Sequence, residues 1–275
     1  MPETRFIPAT QGPFDYKLEV LLGNVPGVAI LTGYGERESI GTTATGEDMW
    51  RGNELSATPS SPASDILIPT PAAGGEQMTV ISESVEDVAG GDGASTIIIT
   101  YIDSSGDQQT TPLTLNGTTA VDVTPADVKF VQEMSVSSLG SGNVTGVSVG
   151  NIRIYQKADD TLVYNMIAAG GNESLVSARM VPAGKTLYLQ GWNAGEASNQ
   201  GRLTMRLRSD ATVVPGVLQT GVFLFRSTAY INQSTTGEIA LGFKIPAGAT
   251  VKASAWAASV NSEASVTWWG YLVDD

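Results

Sequence analysis

The chain has 275 residues, 41% of them hydrophobic and 16% charged, and it contains neither Cys nor His. Disulfides and thiolate metal sites are therefore excluded, and so are histidine-based triads and zinc hydrolases, because the usual general base and the commonest zinc ligand are missing. The formal charge is −13, carried by 4 Lys/Arg against 18 Asp/Glu up to residue 128 and 11 against 10 beyond it, so the acidic half is a poor surface for nucleic acid.

Residues 1–75 do not read as a self-sufficient domain. Their apolar runs are short, LEVLL (18–22) and VAIL (28–31), and Gly and Pro punctuate the rest. Pro59, Pro62, Pro69 and Pro71 favour extended backbone without ladder donors. We expect an extended N-terminal docking arm over 1–75, with a small extra sheet on the same chain as the alternative. Ile66, Leu67 and Ile68 would be buried against a neighbour. Trp50, in GEDMWRGN, would anchor in a partner's pocket. MPETRFIPAT at the start lacks the apolar run of a secretion signal, so assembly in the cytosol is expected. No apolar stretch approaches the ~20 residues of a membrane helix.

From residue 76 strands follow one another. MTVIS (78–82), TIIITYI (96–102), TTPLTL (110–115), ADVKFVQEMSV (126–136), VSVGNIRIYQ (147–156), TLVYNMI (161–167) and SLVSARM (174–180) are separated by Gly/Asp turns. The unbroken apolar run at 96–102 predicts a strand buried on both faces. In RLTMRLR (202–208), Leu203, Met205 and Leu207 alternate with Arg202, Thr204, Arg206 and Arg208, the pattern of a half-buried strand. Its Arg202, Arg206 and Arg208 form a basic stripe that could pair with an acidic neighbour or simply face water. VFLFRSTAYI (222–231), EIALGF (238–243) and ASVTWWGYLV (264–273) complete the series. About a dozen short strands, with no helical period, predict an all-β, antiparallel β-sandwich over 76–275, jelly-roll-like.

One pattern occurs twice. VPAGKTLYLQGW (181–192) and IPAGATVKASAW (245–256) both run from a Pro-Ala-Gly turn into a strand ending near a Trp. Two such entries suggest two equivalent corners of a double Greek key. Trp192, Trp256 and one of the adjacent pair Trp268/Trp269 read as core anchors. The turns GGDG (90–93) and DSSGD (103–107) lack the spacing of a calcium loop. No carboxylate pair is singled out for glycoside hydrolysis, and no phosphate-binding loop occurs. No catalytic residue, metal or cofactor is expected.

LGNVPG (22–27), GTTATGEDMW, EQMTVISES, LTLNGTTAVDV (113–123), VGNIRIY, GGNESLV before VPAGKTLYL, and ASVTWWGYLVDD stand in one order along the chain. Together they resemble a family of virion structural proteins of tailed bacteriophages. The resemblance implies a particle component and carries over no catalytic residue; with the composition, we expect a non-enzymatic head decoration or head-fibre protein. It would bind copies of itself, as trimers, and other virion proteins such as the major capsid or neck proteins. It would touch neither nucleic acid nor membrane. A tail or collar fibre that recognises host glycans is the alternative.

Overall fold

In a computed structural model of the chain, residues 19, 23–42, 46–51, 74–197, 203–209, 224–232, 234–258 and 262–275 are described. The protein is all-β, and every paired strand is antiparallel. In chain order the strands are β1 (Val28–Ile40), β2 (Glu47–Asp48), β3 (Met78–Ser82), β4 (Ala94–Asp103), β5 (Gln108–Thr114), β6 (Val121–Asp122), β7 (Val128–Leu139) and β8 (Ile152–Gln156). They continue with β9 (Asp159–Ile167), β10 (Arg179–Met180), β11 (Lys185–Glu196), β12 (Leu203–Ser209), β13 (Leu224–Ile231), β14 (Ser234–Ile245), β15 (Thr250–Ala257) and β16 (Ser262–Asp274).

These strands build four sheets around two main cores. The sheets β1-β16-β11-β14 and β10-β15-β12-β13, the latter extended by β2 on β15, enclose the first. Its members alternate along each strand: Leu187 and Leu189 on β11, Leu203, Met205 and Leu207 on β12, Val251, Ala253 and Ala255 on β15, Val266 and Trp268 on β16. The apolar side chains recur with period two on the core face; on β15 the alternate residues Lys252 and Ser254 are buried as well, on the opposite face. The sheets β6-β3-β8-β9 and β5-β4-β7 enclose the second core, around Val80, Ile97, Ile99, Val131, Met134 and Ile154. We call these the large and the small lobe.

The expected boundaries differ from this arrangement. Val28–Ile40, inside the segment read as an arm, is a strand of the large lobe and pairs with β16 along most of its length. The small lobe is inserted between β2 and β10, and both of those short strands pair with β15. Residues 76–275 are therefore not one sandwich, because the large lobe needs β1 and β2 to complete its sheets. The run at 96–102 also differs: Ile97, Ile99 and Tyr101 are buried, whereas Ile98 is exposed. Along its middle β4 has a core on one side only, and at its end Ile102 turns into the cluster around Trp50. The pieces of SLVSARM before Arg179 are extended but belong to no sheet ladder of their own.

The small lobe has a loop end, formed by residues 83–93, 115–120, 140–151 and 168–171. A single carboxylate organises it. Asp87 is fully buried and accepts the backbone N–H groups of Ala94 (2.8 Å), Val149 (3.0 Å) and Gly150 (2.9 Å) and the Ser82 hydroxyl. Charge-assisted bonds of this kind are stronger than neutral ones, so the separate loops are held as one body.

Candidate functional site

The lobes meet along residues 172–180. On the small-lobe side this connector bonds to β7. Ser174 N–H donates to Met134 O, Met134 N–H donates to Ser174 Oγ, and Gln132 exchanges two bonds with the Met180 backbone. On the large-lobe side Ser177 is the rivet. Its N–H donates to Met49 O (3.0 Å), its hydroxyl exchanges bonds with the Ala253 backbone, and its carbonyl accepts Trp268 Nε1–H (2.7 Å). The approach is this close because β1 carries Gly33 and Gly35 here. A Cβ on Gly33 would lie 2.4 Å from the Trp268 ring and 2.5 Å from Ser177 O.

Trp50 fills the seam. It is fully buried among Ile102, Phe130, Val163, Met166, Val176 and Met180, drawn from both lobes and the connector. The expectation that Trp50 anchors in a partner's pocket is corrected: it has no surface left to offer. Sequence spacing could not show this, because those neighbours lie far along the chain from Trp50, four of them inside the small lobe and two beyond it.

Glu133, Glu173 and Arg179 gather beside the connector, with Arg179 Nη2 3.5 Å from Glu133 Oε2. Burial, then the charge and hydrogen bond of Glu133, raise the Glu173 pKa above its ordinary 4.5, and Arg179 opposes this. Burial lowers the pKa of Arg179, against the pull of both carboxylates. Nearby, Tyr34 donates to Glu36 and is pushed up to about 12 by burial and then by that carboxylate.

A raised native pKa means that the folded chain keeps a proton which the unfolded chain releases. The Glu173 contribution is therefore complete below the unfolded value of 4.5 and is lost as pH rises through the native value. Glu173→Gln removes the titration. Urea midpoints of the two proteins should coincide in acid and separate toward neutral pH, with the variant the more stable. Parallel curves would show that folding does not raise the Glu173 pKa.

The basic stripe is placed on the face of its sheet away from the core. Arg208 lies beside Lys252 of β15, and Arg206 beside Ser254. Arg208 and Lys252 are both buried, and Lys252 Nζ lies 2.8 Å from Asp48 Oδ2, which is buried as well. Arg206 stacks on Trp256, 4.6 Å from the ring centroid. Trp256 is thus only half-buried and not a core anchor, unlike Trp192 and Trp268. Arg202, Ile66, Leu67 and Ile68 lie outside the described residues. The ion pair escaped the sequence reading. The one available signal was Lys252 at an alternate position of TVKASAW, in phase with Trp256 rather than with the alanines.

The repeated Pro-Ala-Gly turns come together in space. Val181 N–H donates to Ala249 O and Gly248 N–H to Val181 O, both at 2.8 Å. Gly184 and Gly248 have φ of 66° and 76°, the left-handed region that glycine enters without penalty. Opposite them stands the β4–β5 hairpin, with Ala183 N–H on Gly106 O at 2.7 Å. Between hairpin and turns lies a cleft of about 640 Å³. Ala183, Pro246 and Ala247 give it accessible apolar surface over the buried Ile102, Met180 and Val181; Lys129 and Lys244 also line it, and the Thr186 hydroxyl donates to the Asp275 carboxylate beside them. Among the described residues neither lysine has an ion-pair partner, and no group of three or more acidic side chains could hold a metal ion. The cleft suits an apolar segment bearing negative charge.

No family model and no curated protein sequence matches the chain. Among solved structures, the naturally occurring empty particles of cowpea mosaic virus (top component) align over 73% of this chain and 82% of that one, at 9% identity and a TM-score of 0.19. Infectious bursal disease virus, Gt strain, aligns over 95% and 83%, at 8% identity and a TM-score of 0.16. Superpositions this loose carry no argument about fold or function.

Proposed function

We propose that the protein is a non-enzymatic structural component of a tailed-phage particle, coating or cementing the head through repeated contacts. The observation that carries this is the strand order of the large lobe. Rolling up a long hairpin pairs the first strand with the last and the second with the next to last. Counting β2 and β10 as one interrupted strand, the sheets β1-β16-β11-β14 and β10-β15-β12-β13 have that order. It supports the jelly-roll reading, an architecture used by viral capsid proteins, lectins and cupins. The absence of histidine argues against a cupin-type metal centre, and the resemblance to virion proteins favours the particle. Many weak contacts repeated across copies would supply the affinity.

The test is to locate the chain in purified particles by imaging, and to add purified protein to shells that lack it. Bound protein should raise shell resistance to heat or low salt. Protein that stays free in lysate and never purifies with particles would overturn the reading. One observation favours the fibre alternative: Tyr188, Trp269 and Tyr271 lie half-buried on neighbouring strands, with Tyr188 directly opposite Tyr271. Sugar rings stack on such aromatics. Glycan-array binding lost on replacing Trp269 would select that alternative.

A further inference from the structure

We infer that the protein associates with copies of itself head to tail, the loop end of the small lobe in one copy seating in the interlobe cleft of the next. This deepens the assembly reading above and rests on it.

The loop end is built as a plug. Val144 is 95% exposed and Val85 65%, with Val149 and Leu139 also exposed. These are large apolar side chains, and clusters of them on a surface mark contact sites. They stand on rigid backbone. Asn143 Oδ1 accepts the N–H groups of Thr145 (3.0 Å) and Gly146 (2.8 Å), which fixes the turn that carries Val144. Gly140 N–H on Gly93 O and Ser148 N–H on Gly171 O tie the loops together, with buried Asp87 beneath them. A preformed plug loses little conformational entropy on docking.

The charges select the socket. Glu83, Glu86 and Asp92 stand on this end, and residues 83–93, 115–120 and 139–151 contain no Lys or Arg. Arg153, just inside β8, is engaged with Glu83 at 3.4 Å. Two such ends facing each other would set carboxylate against carboxylate, which is costly. The cleft offers the complement: accessible apolar surface from Ala183, Pro246 and Ala247, with Lys129 and Lys244 beside it. Its own acid, Asp275, accepts the Thr186 hydroxyl and keeps its charge, which leaves two lysines against one carboxylate in the lining. Plug and socket are different patches of one surface, so the contact is heterologous and generates a ring or a filament.

Sedimentation of the full chain over a wide concentration range tests this. Self-association should weaken with added salt. Val85→Asp combined with Val144→Asp should weaken it at least about tenfold, and so should Lys129→Glu combined with Lys244→Glu. All four positions are surface sites, so unchanged urea midpoints serve as the folding control. A plug of reversed charge, Glu83→Lys with Asp92→Lys, should fail to bind itself but should bind the Lys129→Glu, Lys244→Glu socket. A chain that is monomeric throughout overturns the inference. Association indifferent to both sets overturns it while leaving the particle assignment to imaging. Loss from plug variants alone indicates end-to-end pairing and overturns it as well, as does failure of the two reversed proteins to bind each other.

Discussion

Trp268→Ala is expected to lower stability by about 3–5 kcal/mol, the cost of removing a large aromatic from a closed core. Trp268 is fully buried, and its ring fills the space left by Gly33 on the neighbouring strand. It does two jobs: it packs the large lobe, and its indole N–H holds Ser177 O, the point where the connector enters that lobe. Trp268→Phe separates the two. It keeps most of the packing and removes the donor, so about 1–3 kcal/mol is expected from the buried carbonyl left without it. Gly33→Ala attacks the same spot from the other side. The added methyl meets Ser177 O, a backbone atom that cannot swing away. Urea titrations followed by near-UV circular dichroism measure all three. An Ala variant losing under about 1 kcal/mol would show that the seam is not packed as described.

Asp48→Ala is the second large effect, at about 3–5 kcal/mol. The Lys252 and Asp48 side chains are 1% and 2% exposed. Removing the carboxylate strands an ammonium away from water, beside the Arg208 guanidinium on the paired strand. Lys252 would then lose the carboxylate 2.8 Å from its ammonium, with a second buried cation on the neighbouring strand. The pair itself need not be a net gain, since desolvating both ions offsets their attraction. Replacing both, Asp48→Leu with Lys252→Met, should therefore recover most of the loss. This double-mutant contrast distinguishes a buried pair from a surface one. A surface pair would give about 1 kcal/mol or less for Asp48→Ala, and nothing to recover.

The seam has a consequence for assembly. Plug and socket lie at opposite ends of the small lobe, and the connector and Trp50 fix that lobe to the large one. Variants that loosen the seam, such as Trp268→Ala, would blur the geometry on which a closed ring depends. The pH response of Glu173 acts on the same connector.

Alternation along the chain marks most of the strands from residue 76 on and the apolar side of many of them, while β1 stays hidden in the segment read as an arm. RLTMRLR needed nothing but its alternation, since a strand places successive side chains on opposite sides. MTVIS became β3 over the same five residues. The two Pro-Ala-Gly turns announced themselves as strand entries because Pro and Gly restrict or free the backbone locally. Only the tertiary structure decided what each side faces. TIIITYI reads as buried twice, yet Ile98 is exposed, because the second side of β4 is covered only at the end that holds Ile102. Arg208 reads as facing water or an acidic neighbour, yet it is buried beside Lys252. Trp50 reads as an anchor for a partner and instead closes the seam of its own chain. The reason is separation along the chain: β2 and β10 meet on β15 only after the small lobe has been looped out between them. Local pattern records the period of a strand. It does not record which distant strand will lie beside it, nor which layer will cover it.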